Sequence, residues 1–271
     1  MTDLPSPEKA RNWTRLAQQY ARFAPPLRPA AQDVELFRQA IAGHDAAALL
    51  LGVTPALAGF GQDMLAVEAM PDVIAALWPG DGLDRRAVAG DWRALPCPDH
   101  SRSAILGDGV FSAADADPAA LLREFLRVLA PGGVIAIRCF CAPARPEPLE
   151  DVVAAALSGH YPGLNVLKWH ISMHLAAGDA DFRVPVSDVL DRFNLLFPDR
   201  AALMDRTGWA ASEFDFIDLY RGSSSVLRFL PEDRLKDAFE RQGTRVTLLR
   251  PQGYPLADRC PIFVLRRADA A

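Results

Sequence analysis

The sequence predicts an α/β protein: a doubly wound, seven-stranded sheet that is mostly parallel and ends in an antiparallel hairpin. Between residues 47 and 141, short apolar runs of strand length alternate with stretches of helical periodicity. This alternation is typical of a parallel sheet with helices on both faces. Near the C-terminus, two more apolar runs are joined by a turn containing Gly253 and Pro255. A link this short favours an antiparallel hairpin at the sheet edge.

Two helices are predicted ahead of the sheet. Apolar residues recur at helical intervals over residues 8–23, and the prolines at 25, 26 and 29 end this helix. A second helix, 32–42, ends at Gly43. The strands are predicted at 47–51, 65–68, 86–89, 103–106, 134–141, 245–249 and 261–266. Between them, helices are predicted at 70–77, 117–129 and 231–242.

Composition excludes several classes of function. The net charge of -5 and a pI near 5.6 argue against a general nucleic-acid binder, which needs a concentrated basic surface. No apolar run approaches the ~20 residues that cross a bilayer. The first 13 residues contain no apolar signal core. We therefore expect a cytoplasmic protein with no nucleic-acid or membrane partner.

The cysteines and histidines give no metal motif. None of the four cysteines belongs to a CxxC pair, and Cys139 and Cys141 flank Phe140. On a strand both thiols would share one face, which favours reduced, partly buried thiols. His170 and His174 have helical spacing, but Ile171 stands where a HEXXH motif needs glutamate. No metal ligand is predicted.

Residues 48–68 have the layout of a Rossmann-type nucleotide site. A buried strand leads to a turn at Gly52, and a second strand ends in Glu68, an acid suited to binding ribose hydroxyls. Thr54 and Pro55 follow the glycine. Because Pro suits the first turn of a helix, we expect a helix to begin here with Thr54 as its N-cap.

Three local motifs carry a resemblance to a known family. They are LLLGVTP (49–55) with AVE (66–68), VAGDW (88–92), and LLREFLRVLAPGGVIAIR (121–138). With these motifs and the order of its elements, the chain resembles the class I S-adenosylmethionine (SAM)-dependent methyltransferases over residues 30–141 and 226–268. The resemblance implies a Rossmann-like fold, SAM as cofactor and S-adenosylhomocysteine as product.

The resemblance also implies a set of cofactor-binding residues. Gly52 would pass under the methionine part of SAM, and Glu68 would accept hydrogen bonds from the ribose hydroxyls. Asp91 would face the adenine amino group, with Trp92 beside the ring. Asp108 would lie near the amino acid part of SAM or near the acceptor. The remaining residues of this expected site are Thr54, Ala69, Gly109 and Tyr20, the last on an N-terminal helix that closes over the cofactor.

The glycine loop departs from the family pattern. Leu50 stands where the family has an acid, and Thr54 and Ala56 replace the second and third glycines. Losing glycines removes backbone freedom and close approach to a ligand. The contacts to the methionine part of SAM are therefore expected to differ from those of the family pattern. Such a loop is compatible with a subgroup of the family that has its own glycine loop.

Three regions are expected. Residues 1–45 form N-terminal helices over the cofactor, residues 46–141 and 226–271 form the SAM-binding domain, and residues 142–225 form a helical cap that selects the substrate. An insertion of this length is too long for a simple connection. Within it, three side chains can move protons and are the candidate catalytic residues: His170, His174 and Tyr220. Lys168 lies in the same segment.

The sequence thus predicts a methyltransferase that moves the sulfonium methyl to a small-molecule acceptor by in-line displacement. One alternative is a methyltransferase-like protein without catalysis that binds SAM, S-adenosylhomocysteine or a partner. A second alternative is an NAD-dependent Rossmann enzyme, although the chain lacks the G-x-G-x-x-G motif of such enzymes. A third is a scaffold protein. A protein or peptide acceptor stays open, and a homodimer is one alternative for the oligomeric state.

Overall fold

The computed structural model describes residues 7–114 and 116–268. The first six residues of the predicted N-terminal region lie outside them. The chain divides into two compact units. The first is Met1–Phe140 with Asp233–Ala271, and the second is Cys141–Glu232.

The strands, in chain order, are β1 Ala48–Leu51, β2 Met64–Glu68, β3 Arg85–Ala89, β4 Arg102–Asp108, β5 Leu129–Arg138, β6 Arg183–Pro185, β7 Val226–Arg228, β8 Thr244–Leu249 and β9 Ile262–Arg267. The α-helices are α1 Pro7–Gln18, α2 Ala31–Ala40, α3 Pro71–Leu77, α4 Val110–Ala113, α5 Pro118–Val128, α6 Leu149–Leu157, α7 Leu164–Ala176, α8 Val186–Leu196, α9 Arg200–Thr207, α10 Ala211–Asp218 and α11 Glu232–Glu240. Short 3₁₀ turns occur at Tyr20–Arg22, Pro55–Leu57 and Ala257–Arg259.

The first unit is built on a seven-stranded sheet with the order β3-β2-β1-β4-β5-β9-β8. The strands β1 to β5 pair in parallel, and β9 pairs antiparallel with both β5 and β8. The predicted sheet, including its C-terminal antiparallel hairpin, is confirmed. Because the chain reverses its winding direction at β1 and β4, the carboxyl ends of these strands form the edge where such sheets bind ligands.

Helices cover both faces of this sheet. On one face, register-paired residues of adjacent strands pack in a single cluster with Phe37 of α2: Leu50, Ala66, Leu106 and Ala136. Since successive strand residues point to opposite faces, Phe263 lies on the other one. There it contacts Phe239 of α11, with ring centroids 5.5 Å apart. This arrangement confirms the doubly wound α/β class.

The segment after the glycine loop corrects one prediction. Instead of a helix, the residues from 52 to 63 contain only the 3₁₀ turn Pro55–Leu57, and Thr54 makes no side-chain cap bond. A glycine near its end shortens the segment. Gly61 has φ +92° and passes so close to β1 that a Cβ on it would lie 2.8 Å from the Ala48 Cβ. The chain must turn back to the sheet before a full helix can form.

Two boundaries also differ from prediction. The first helix ends at Gln18 rather than at residue 23 and is followed by the turn that contains Tyr20. Strand β5 begins at Leu129, because a register shift between Arg102 and Ala104 accommodates the Pro-Gly-Gly segment within the strand. It ends at Arg138, so Cys139 and Cys141 follow the strand; both are buried, and neither forms a disulfide.

The second unit is mostly helical, with helices α6 to α10 and an antiparallel pair of short strands, β6 and β7. Helix α7 is its most enclosed element, since ten of its thirteen residues are buried. A helix buried on all sides is a core element rather than a surface helix. In the part of the chain that the structure describes, no helix is long and apolar enough to cross a bilayer.

Candidate functional site

Gly52 directly follows β1 and has a backbone conformation that favours glycine. Its φ is +88°, and its N–H donates to the Val67 carbonyl at 2.8 Å. A Cβ on residue 52 would lie 3.6 Å from Trp92 Cζ2 and 3.8 Å from Glu68 Oε2. The structure therefore brings Gly52, Glu68 and Trp92 together at the carboxyl ends of β1, β2 and β3.

Glu68 ends β2 with its carboxylate held by the following backbone. The Met70 N–H donates to Oε1 at 3.1 Å, and the Ala69 N–H also hydrogen-bonds the carboxylate. Burial raises the pKa of Glu68, while these two N–H groups oppose the shift. The result is an oriented, largely buried acid next to the bare backbone of Gly52.

Trp92 and Asp91 follow β3 and make different contacts. The Trp92 indole turns inward, and its Nε1–H donates to the Val67 carbonyl at 2.7 Å. The Asp91 carboxylate accepts from its near neighbour Arg93, through Nε at 3.0 and 3.1 Å and Nη2 at 2.8 Å. These bonds lower the pKa of Asp91. Asp91 is thus an ionised acid shared with Arg93, a partner that the sequence reading did not include.

A buried ionic network lies at the ends of β4 and β5. Arg138 donates from Nε and Nη2 to the Asp108 carboxylate at 2.7 and 3.1 Å, from Nη1 to Asp33 at 3.1 Å, and from Nη2 to the Pro26 carbonyl at 2.8 Å. The Tyr254 hydroxyl donates to Asp33 at 2.9 Å. Burial lowers the pKa of Arg138, but Asp108 and Asp33 raise it by more than burial lowers it. The guanidinium therefore stays charged.

Tyr20 and Gly109 lie beside this network. The Tyr20 hydroxyl is buried and has no hydrogen-bond partner among residues 7–114 and 116–268. Burial, with the nearby Asp108 carboxylate, raises its pKa, so it stays a donor at neutral pH. Gly109 has φ +68°, and a Cβ on it would lie 2.7 Å from Phe140 Cε2. Its absent side chain lets the Phe140 ring pack against the start of α4.

The three candidate catalytic residues lie in the second unit. His170 Nδ1 lies 2.6 Å from Glu147 Oε2, and the Tyr161 ring stacks on the imidazole at 4.6 Å. His174, one turn further along α7, has Nδ1 2.7 Å from the Glu147 carbonyl. Tyr220 follows α10, and burial raises its pKa.

Sequence reasoning missed several partners that the structure brings to these groups. Asp33 and Tyr254 reach Arg138 across 105 and 116 residues of chain, without a motif to indicate them. Glu147 lies in a proline-rich segment that contains no motif to indicate its role. For Arg93 the sequence signal is its position two residues after Asp91, which does not by itself fix the side-chain contact.

Comparisons with known proteins agree with this geometry. Residues 50–137 match the family model described as a methyltransferase domain. Among solved structures, a SAM-dependent methyltransferase from Mesorhizobium loti matches with a TM-score of 0.52 and 15% identity, over 88% of this chain and 98% of that one. A complex titled DhpI–SAH matches with a TM-score of 0.53 and 12% identity, over 97% of each chain.

A further structure is titled as a putative Zn-dependent alcohol dehydrogenase from Rhodobacter sphaeroides. It matches with a TM-score of 0.62 and 10% identity, over 97% of this chain and 100% of that one. At these identities the three structures show a shared fold alone. Within the described residues, no cluster of three or more His, Cys, Asp or Glu side chains could hold a metal ion. A search of curated proteins found no match to the sequence.

Proposed function

We propose that this chain is a class I SAM-dependent methyltransferase, which binds SAM and transfers its methyl group to a small-molecule acceptor; the match of residues 50–137 to a methyltransferase-domain model supports this. The observation that carries the proposal is the pairing of Glu68 with Gly52. An oriented carboxylate stands beside a glycine backbone, at the sheet edge where open α/β folds bind nucleotides.

The residues at this edge fit the cofactor. Glu68 has two acceptor oxygens for the two ribose hydroxyls, and the backbone N–H groups of Ala69 and Met70 keep it oriented. Gly52 offers backbone without a side chain, and the Trp92 indole offers an aromatic surface next to both. The unpartnered Tyr20 hydroxyl is a buried donor for a polar group of a ligand. Thr54, Ala69, Asp91, Asp108 and Gly109 complete the proposed set.

Bound SAM supplies an already activated sulfonium methyl. What the chain must supply is alignment of the acceptor and exclusion of water. An acceptor hydroxyl or carbon acid would also have to lose a proton. Among the three candidates, Tyr220 is the poorest base, because burial keeps its hydroxyl protonated.

His170 is the best-supported base. Its Nδ1–H donates to the Glu147 carboxylate, which leaves Nε2 as the atom that takes a proton. The carboxylate also stabilises the imidazolium that forms. His174 donates to a main-chain carbonyl instead, so it receives orientation but no compensating charge.

One observation favours a second candidate function. The 3₁₀ turn Pro55–Leu57 replaces the helix expected after the glycine loop, so the usual helix N-terminus beside the cofactor is missing. A protein that binds SAM or S-adenosylhomocysteine without catalysis is compatible with this loop. Transfer of a methyl group to any acceptor in a broad screen separates the two candidates.

The proposal is tested by calorimetric titration with SAM and S-adenosylhomocysteine, with NAD and ATP as comparison ligands. Glu68→Gln is expected to weaken binding of the first two by about tenfold or more, because hydrogen bonds to a charged group are worth about 1.5–3 kcal/mol. Glu240→Gln, at an exposed position on α11, is the matched control. Binding of NAD alone, or equal SAM affinity in both variants, would overturn the proposal.

A further inference from the structure

Lys168 is a buried cation on the enclosed helix α7. Lys168 is 3% exposed, and its Nζ lies 5.0 Å from the centroid of the Tyr220 ring. Among residues 7–114 and 116–268, no carboxylate pairs with this ammonium and no oxygen accepts a hydrogen bond from it. Within the described part of the chain, its one electrostatic contact is with the face of the Tyr220 ring.

Such an arrangement is costly, because an ammonium group loses its hydration on burial and is normally compensated by an acid. Burial alone lowers the pKa of Lys168 to about 8. At pH 7 the side chain is still mostly protonated, in a ratio of about ten to one. A cation–π contact returns only about 2 kcal/mol in a desolvated position.

Two carboxylates contact α7, but neither of them contacts Lys168. Glu147 contacts the imidazole of His170, and Glu213 accepts from the Leu164 N–H at 2.8 Å. Positions 168 and 170 are about 200° apart around a helix, so Lys168 and His170 point to opposite sides of α7. The helix therefore presents a positive charge on one side that the second unit does not balance.

The residue type supports a role for this charge. The chain has only three lysines, Lys9, Lys168 and Lys236, among 29 basic residues. Arginine supplies nearly all the other positive charge, including every buried ion pair described above. Lysine, with its compact ammonium, is the side chain that binds a single oxyanion as a point charge.

We propose that Lys168 binds an anionic group, a carboxylate or a phosphate, of a small molecule taken up by the second unit, with the Tyr220 ring holding the ammonium in position. That this molecule is the methyl acceptor rests on the proposed function; the anion site itself does not. A general-base role is the competing reading, and it requires a lysine that is neutral at working pH.

The test uses the full chain labelled with ¹³C at the lysine ε-carbons, which gives three NMR signals. Lys168→Met identifies one signal by its loss, and Lys236→Met identifies another. We expect the Lys168 signal to titrate near pH 8 without an added anion. Phosphate, acetate or benzoate should raise its midpoint at constant ionic strength, with chloride as the reference. The Lys236 signal should not follow the anion.

Binding is measured in parallel as the anion-dependent rise in melting temperature. Wild type and Lys236→Met should show it, Lys168→Met should lose about tenfold or more in affinity, and Lys168→Arg should retain part. The order of acetate, benzoate and phosphate shows which anion class the site takes. If Lys168→Met does not fold, the wild-type titration and Lys168→Arg carry the test.

An unchanged Lys168 midpoint with all three anions would overturn the proposal, as would a Lys168→Met variant that binds them like wild type. A midpoint below pH 7 would favour the general base instead. The two proposals fail separately. Lys168→Met should bind SAM normally, and Glu68→Gln should keep the anion response.

Discussion

The guanidinium of Arg138 and the carboxylate of Asp108 form a two-point ion pair between the last residues of two adjacent strands. The residues are register partners in β4 and β5, and their side chains are 0% and 7% exposed. The same guanidinium reaches Asp33 on α2. Helix α2 is thereby joined to the sheet edge next to the proposed cofactor site.

We expect Asp108→Asn to destabilise the protein by about 1.5–3 kcal/mol, because it weakens the two charge-assisted hydrogen bonds from Arg138 while Asp33 still pairs with the guanidinium. Urea unfolding followed by far-UV circular dichroism measures the change. The control is Asp258→Asn, whose side chain is 82% exposed and 4.0 Å from Arg259. If the two variants had equal stability, the buried pair would contribute no more than a surface one.

The sequence could predict half of this network. An arginine within an apolar strand needs a partner, and Asp108 ends the neighbouring strand, so the sequence itself points to Asp108 as a partner of Arg138. Asp33 could not be predicted, since it lies on a helix 105 residues away and its approach depends on how α2 packs on the sheet. Long-range contacts of this kind have no local pattern.

The glycine loop is a local feature whose structure also depends on a tertiary contact that the sequence pattern does not indicate. The strand and helix periods predicted the sheet and its C-terminal hairpin, but Thr54-Pro55 also matches the start of an ordinary helix. The close passage of Gly61 against Ala48, which shortens the segment to a 3₁₀ turn, is a tertiary constraint. Gly52, Glu68 and Trp92 were predictable because each directly follows or ends a strand, whereas the Arg93 contact of Asp91 depends on side-chain conformation.

Glu68 should make stability depend on pH in the direction opposite to an acid whose pKa is lowered in the folded protein, such as Asp91. Its folded-state pKa lies above the ordinary 4.5, mainly because of burial. The folded state therefore binds a proton more tightly than the unfolded state, and stability falls as pH rises from 4.5 through the raised folded value. We expect Glu68→Gln to be at least as stable as wild type at pH 7, with the difference shrinking towards pH 4.

Urea unfolding of wild type and Glu68→Gln at pH 4, 5, 6 and 7 measures this dependence. For Glu240→Gln, on the exposed face of α11, the stability difference from wild type should not grow in this way between pH 4 and pH 7. The predicted sign would be wrong if the free energy of unfolding of Glu68→Gln, relative to wild type, were lower at pH 7 than at pH 4. The same samples show whether loss of SAM binding occurs in a folded protein.

Gly52→Ala should separate backbone strain from ligand contact. The positive φ is expected to cost about 1–2 kcal/mol of stability for any residue with a Cβ. The new methyl would meet Trp92 and Glu68 only at ordinary contact distance, so the protein should still fold. Because the methyl takes up space beside Glu68, SAM affinity should fall by about tenfold or more.

The matched control is Gly43→Ala. Gly43 has φ +78° and nothing within 4 Å of the position its Cβ would take. It should therefore show a similar loss of stability with unchanged SAM affinity. Equal affinities in the two alanine variants would place the ligand away from Gly52.

Trp92 should report on ligand binding through its fluorescence. The indole hydrogen-bonds the Val67 carbonyl at the end of β2 and lies against Gly52, so a ligand held by Glu68 must change its surroundings. We expect SAM to change the tryptophan emission of wild type and to leave that of Trp92→Phe largely unchanged. Trp78→Phe is the control, because the Trp78 indole instead hydrogen-bonds the Asp81 carboxylate at 2.8 Å. A full response in Trp92→Phe, together with its loss in Trp78→Phe, would move the binding site from the ends of β1 and β2 towards α3.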